Sequence, residues 1–227
     1  MNNAVFISDV HLGTMENFDI FLEFLTTIET QKLFLVGDMI SFVVDSPNKE
    51  LDEFFAILEQ KDCELIYLCG NHEKENLNLH IKLKKYYKNI KLHDRYIYKF
   101  KNKKVLIEHG DSFHYKDAIN RGIKNVMLKF KVRLYKKNRT NYSKYRGLYY
   151  KIKPAIKQVL YKSYIRYMVN QAKKYNCNSV VCGHLHQAQI KKISNIEYIN
   201  CGDWLKSCSY VVLCDNGEFK LKSYKSH

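Results

Sequence analysis

The sequence predicts an α/β fold on three observations. Short apolar runs recur along the chain, amphipathic stretches at helical spacing separate the first of them, and most runs end in Gly, Asp, Asn or His. The first run, AVFIS (4–8), leads into ENFDIFLEFLTTIE, where Phe18, Phe21, Leu22 and Leu25 share one helical stripe. Strand KLFLV (32–36) comes next, then a helix near 51–60 with Leu51, Phe54, Phe55 and Leu58 on one face, then strand ELIYLC (64–69). KVLIEH (104–109) pairs with YIYKF (96–100). SVVC (179–182) precedes two hairpins, QIKKI with IEYIN and SYVVLC with EFKLKS. The second hairpin turns through Asp215-Asn216-Gly217, a strong turn signal.

A chain of 227 residues suits one large domain or a domain with a substantial insertion. Seven cysteines, an odd number without a CxxC pair, argue against a disulfide framework and for reduced, cytoplasmic thiols. MNNAVFISD has no basic start and meets an acid at Asp9, so no secretory signal is expected. The apolar runs fall far short of the ~18 residues of a membrane span. The net charge of +15 is not spread evenly: residues 115–176 hold 18 of the 38 Lys and Arg, 10 of the 18 Tyr and one acid, Asp117. Codon bias raises lysine everywhere but does not empty one segment of acids. The expected organisation is therefore a core of residues 1–114 and 177–227 carrying a basic, tyrosine-rich helical insertion at 115–176.

The residues just beyond each strand carry the chemistry. AVFIS leads to Asp9 and His11, KLFLV to Gly37-Asp38, ELIYLC to Gly70-Asn71-His72-Glu73, and KVLIE to His109-Gly110-Asp111. SVVC leads to Gly183-His184-Leu185-His186 and IEYIN to Cys201-Gly202-Asp203-Trp204. Ligand sites of α/β sheets form beyond the carboxyl ends of the strands, so these six ends predict one site assembled from across the chain. Asp9 and His11, at i and i+2 on an extended backbone, point to the same side and share a cation. His184 and His186 have the same spacing, although a loop can aim them at different ions. Mixed carboxylate, amide and imidazole ligands suit manganese, iron or zinc rather than an all-oxygen calcium cage. Two ions about 3.5–4 Å apart need a shared carboxylate and activate a water as nucleophile; Asp38 is the natural bridge. His80, His93 and His227 belong to no such pattern, and His114 reads as structural.

SDVHLG, GDM, GNHE, EHGD and GHLH resemble, in order, the five blocks of the calcineurin-like metallophosphoesterases. The resemblance implies a four-layer α-β-β-α sandwich of two mixed sheets. It implies one metal on Asp9, His11, Asp38 and His186, a second on Asp38, Asn71, His109 and His184, and manganese as the leading fit. It places His72 beside the attacked phosphorus, stabilising charge or protonating the leaving oxygen. Two positions depart from the family: Ser41 stands where many members carry an acid, and Glu73 where Asp is usual. Neither is a ligand position, so both bear on what surrounds the ligands.

The helical insertion between HGD and GHLH, and YINCGDW before the last hairpin, resemble the UDP-2,3-diacylglucosamine hydrolase branch. That branch is similar to an enzyme of lipid A synthesis that releases UMP and a lipid phosphate, with its insertion as a cap holding acyl chains. The likeness implies Asp117, His72 and His184 as substrate contacts; Asp117 reads equally as the cap of a helix starting at Ala118. Within the insertion, Ile123, Val126, Met127, Phe130 and Leu134 form one stripe, and Ile152, Ile156, Val159 and Leu160 a second, among many Lys and Arg. Such helices suit an anionic membrane surface, which implies peripheral association with the inner membrane. They also read as stripes packed on the body with solvated lysines. The alternative is a phosphodiesterase or nuclease that tracks nucleic acid with interleaved Tyr, Lys and Arg. No protein partner is inferred.

Overall fold

The computed structural model describes residues 2–41, 49–75, 91–113 and 142–224, with the side chains of 142–157 left aside. The chain divides into two compact units, Met1–Gly110 with Met168–His227, and Asp111–Tyr167.

The first unit is built on two mixed sheets. One holds β1 (Asn2–Ile7), β2 (Thr30–Val36), β3 (Glu64–Leu68), β4 (Leu92–His93), β10 (Ser209–Leu213) and β11 (Phe219–Ser223), in the order β11-β10-β1-β2-β3-β4. The other runs β5-β6-β7-β9-β8, from β5 (Tyr96–Phe100), β6 (Lys103–Ile107), β7 (Ser179–Cys182), β8 (Gln189–Ile193) and β9 (Ile196–Asn200). The expected β5–β6 pairing and both hairpins, β8–β9 and β10–β11, form as antiparallel ladders. At the last turn Cys214 N–H donates to Glu218 O (2.9 Å).

Strand alternation divides the core between layers. Ala4, Phe6, Phe34, Val36, Ile66 and Leu68 of the first sheet meet Tyr98, Val105, Ile107, Val181 and Ile199 of the second in one buried cluster. Phe6 stacks on Phe34 at 4.7 Å within it. The intervening residues Val5, Ile7, Leu33, Leu35 and Tyr67 face the other way, in a cluster with helices α1 (Phe18–Thr27) and α2 (Lys49–Glu59). Each fully buried Phe or Leu stabilises this arrangement by about 1.5–3 kcal/mol. The α2 stripe is as expected, whereas α1 buries Phe21, Phe24 and Leu25, and Leu22 is only half-buried. Phe24 wins that place because its ring packs on Trp204 (4.6 Å) and Tyr210 (4.7 Å), partners far away in sequence. Lys61 Nζ donates to Thr26 O and Ile28 O (2.9 and 2.8 Å), satisfying carbonyls at the end of α1. These packed layers are those of a two-sheet α/β sandwich.

One long helix, α4 (Tyr142–Lys174), crosses the boundary between the units; α3 (Asn71–Glu75) is a single turn. In α4 Tyr164, Ile165, Met168, Val169 and Ala172 are buried at helical spacing. Of the expected second stripe, Val159 is 52% exposed and Leu160 half-buried, while the side chains of Ile152 and Ile156 lie outside the described residues. At 100° per residue Val159 lies about 140° around the helix from Tyr164. In the second unit Phe113 sits edge-on to Tyr164 at 5.4 Å, and the Ser112 and Tyr167 hydroxyls are 2.8 Å apart. The stripe at 123–134, His80, His114, Asp117 and His227 lie outside the described residues; His93 packs edge-on against Tyr96 (5.3 Å). Among the described residues no helix is long and apolar enough to cross a membrane.

Candidate metal centre

β1 stops at Ile7 and the chain turns out of the sheet, where residues 9–12 pair with 37–41 of the loop after β2. Asp9 N–H donates to Gly37 O (3.1 Å), His11 N–H to Asp38 O (3.0 Å) and Leu12 N–H to Met39 O (2.9 Å). Asp9, His11, Asp38, His184 and His186 all adopt positive φ, between 52° and 69°. This left-handed region is costly for side-chain-bearing residues, and its concentration at one place marks a built site. It also corrects the reason for expecting Asp9 and His11 together. Neither residue is extended, and the turned backbone, not i/i+2 alternation, brings their side chains together.

The structure gathers six of the seven expected ligands, and His72, into three overlapping groups. They are Asp9, His11 and His186; His11, Asp38 and His72; and Asp38, His109 and His184, with candidate ligand atoms within 4.8 Å of one another in each group. Asp38 belongs to two groups, and His184 and His186 part to different ones. His186 Nε2 lies 3.3 Å from Asp9 Oδ1, and His109 Nε2 lies 3.2 Å from Asp38 Oδ2. Asn71, the remaining expected ligand, opens α3 beside His72. The sixth strand end behaves differently: the Asp203 carboxylate accepts the Lys206 N–H (2.7 Å) in a turn and joins none of the three groups. Its neighbour Trp204 instead holds Asp9, donating its backbone N–H to Asp9 O (3.1 Å).

The surrounding hydrogen bonds aim these groups. A carbonyl only accepts, so the 2.9 Å contact of His109 Nδ1 with Val36 O puts a proton on Nδ1 and turns Nε2 toward Asp38. Asp9 Oδ2 accepts from Ser8 Oγ (2.6 Å) and the His184 N–H (2.9 Å), and Asp38 Oδ1 accepts the His72 N–H (2.9 Å). Gly37, at φ +80°, is needed twice over, because a Cβ there would sit 2.6 Å from the His109 ring. A Cβ on Gly183 would collide with Ser8 Oγ and Asp9 Oδ2.

Burial pushes the Asp9 carboxyl above its ordinary range against the pull of His109 and His186, and it lowers the His11 imidazole to about 4. Burial acts upward on Asp38 too, but the charge and hydrogen bond of His109, with His72, hold it below the usual carboxylate range. Asp9 Oδ1, His11 Nε2 and Asn71 Oδ1 are buried without a hydrogen-bond partner. Lone pairs left unmet on carboxylate, imidazole and amide are what a divalent cation of the manganese, iron or zinc kind satisfies, so the donor set fits a metal.

The calcineurin-like phosphoesterase family matches residues 3–188. The chain belongs to that family. No curated protein matches it. Its fold is similar to that of an archaeal phosphodiesterase, 16% identical over 96% of this chain and 98% of that one, with a TM-score of 0.51. It is also similar to Vacuolar Protein Sorting 29 from Cryptosporidium parvum (10% identical, 97% and 96% covered, TM-score 0.49). A third is a predicted phosphoesterase from Streptococcus pneumoniae (12%, 98% and 97%, TM-score 0.41). Calcineurin-like phosphoesterases bind divalent metals, and the three groups supply candidate ligands for them here.

One participant was not legible in the sequence. The Glu73 carboxylate, which reads there only as a departure from the family's Asp, is buried and accepts backbone N–H groups from both loops that flank Asp38. The one signal for it is its place directly after Gly-Asn-His. Ser41, the other departure, is buried and donates its N–H to Leu12 O (3.0 Å).

Proposed function

We propose that the protein is a two-metal phosphoesterase cleaving a phosphate ester or diphosphate bond, with a UDP-2,3-diacylglucosamine-type nucleotide-sugar lipid as substrate and UMP and a lipid phosphate as products. The observation that carries the chemistry is the place of Asp38 in two groups, one with His11 and His72 and one with His109 and His184, while His11 also joins Asp9 and His186 in a third. Asp9, His11, Asp38 and His186 would hold one cation, and Asp38, Asn71, His109 and His184 the other. Bound there, two cations, best manganese, supply Lewis-acid neutralisation of phosphate charge and an acidified water. His72 Nε2, 4.0 Å from Asp38 Oδ2, offers a proton to the departing oxygen or stabilises charge on it. Asp9 and Asp38, buried and held by hydrogen bonds, would fix the cations in place before substrate arrives, so little reorganisation is left to the reaction.

The lipid-linked substrate is supported by the charge of residues 115–176, whose 18 cations and 10 tyrosines suit an anionic, partly apolar ligand and an anionic membrane surface. In this reading the basic insertion is the lipid-facing part and attachment to the membrane is peripheral. The test is manganese-supported release of UMP from UDP-2,3-diacylglucosamine in detergent micelles, beside hydrolysis of a small aryl phosphodiester. Fast UMP release is expected. Diester cleavage without UMP release keeps the two-metal chemistry and overturns the substrate, with nucleic acid the next class to assay.

A further inference from the structure

We propose that Glu73 is the positioning residue of the centre: its carboxylate sets the backbone that presents Asp38, and through Asp38 it sets the distance between the two cations. The proposal rests on the two-metal reading. Glu73 Oε2 accepts the N–H groups of Asp38 (2.9 Å) and Gly70 (2.8 Å), and Oε1 those of Met39 (2.8 Å) and Ile40 (3.1 Å) with the Tyr67 hydroxyl (3.1 Å). Only 1% of the residue is exposed. Three successive N–H groups converging on one anion form a nest, a concavity that selects negative charge. The anion here belongs to the chain itself. It ties the loop after β2 to the loop after β3, from which Asn71 and His72 emerge.

These hydrogen bonds separate the anion's role from that of a space-filler. Every contact of either carboxylate oxygen is a donor, so an amide in the same volume turns an NH2 toward N–H groups whichever way it is flipped. Asp38 stands at φ 52°, a conformation that persists only where its surroundings over-determine it. The Glu73 bond to its N–H and the His72 N–H bond to its carboxylate, both from α3, supply that constraint. A residue that merely filled space would be replaced best by its isostere Gln. A residue that acts as the anion of the nest is replaced better by the shorter acid, Asp.

The test compares E73Q, E73D and Y67F with wild type, each loaded with manganese. It reads the electron paramagnetic signal of an exchange-coupled Mn pair, the ions bound per chain, and the melting of the ion-free protein. The manganese concentration needed for the coupled signal should rise about 10–100-fold in E73Q, the range for losing an outer-shell partner. It should rise less in E73D and stay within about twofold in Y67F, which removes one of five donors. Wild-type behaviour in E73Q, or a better signal from E73Q than from E73D, overturns the proposal. If E73Q does not fold, an E73D that folds but needs about 10-fold or more manganese for the coupled signal overturns it. A wild-type protein without any coupled signal defeats the two-metal reading itself, an outcome distinct from variants that keep it.

Discussion

The two halves of the centre use the same residue types and are held differently. Around Asp38, the His109 side chain is wholly buried, its tautomer is fixed by Val36 O, and the Asp38 backbone is fixed by Glu73. Around Asp9, the carboxylate is equally buried and braced by Ser8 and the His184 N–H, but the His186 side chain is 36% exposed. Burial strengthens a charge–cation interaction and slows its exchange with water. On the proposed two-metal reading, an ion at the Asp38 half should be held the more firmly, and an ion at the Asp9 half, beside the exposed His186, should exchange the more readily.

The largest break in this comparison is Asp38→Ala. It removes the group the halves share, so both ions and essentially all turnover should be lost, read as metal content and diester hydrolysis on the same sample. Next come His109→Ala and His186→Ala. Each should lose one ion per chain, but the His186 variant should recover it at raised manganese, whereas the His109 variant also loses buried packing against Gly37. Equal recovery of both would erase the distinction between the halves. His72→Ala should keep its ions while turnover falls about 10²–10⁴-fold; unchanged turnover would remove His72 from the chemistry. Ser8→Ala is the mildest, weakening manganese binding by about 10–100-fold at the Asp9 half, measured by calorimetric titration.

The strand ends that build the centre are readable because their signals are local. An apolar run and a ligand residue, in three of the blocks with a Gly between them, come one after another within a few positions, and such blocks at 9–11, 37–38, 70–73, 109–111 and 183–186 leave little else to read. Where contacts come from far along the chain, the sequence says less. Phe24 takes the α1 stripe place expected for Leu22 because Trp204 and Tyr210 lie against it. Glu73 gathers N–H groups from about 35 positions upstream, which no spacing announces. Asp9 and His11 meet for a reason other than their spacing, since left-handed backbone at a non-glycine residue leaves no compositional trace. The sixth strand end, with Asp203, looks like part of the site in the sequence because a turn-forming Asp and a metal-binding Asp both come after Gly at a strand end.

The most direct measurement is the number of manganese ions bound per chain at equilibrium by wild type, His186→Ala and Asp38→Ala, titrated side by side from ion-free protein. A centre built around one shared carboxylate predicts about two ions, then one at the same manganese concentration, then essentially none. Two ions retained by Asp38→Ala would contradict it.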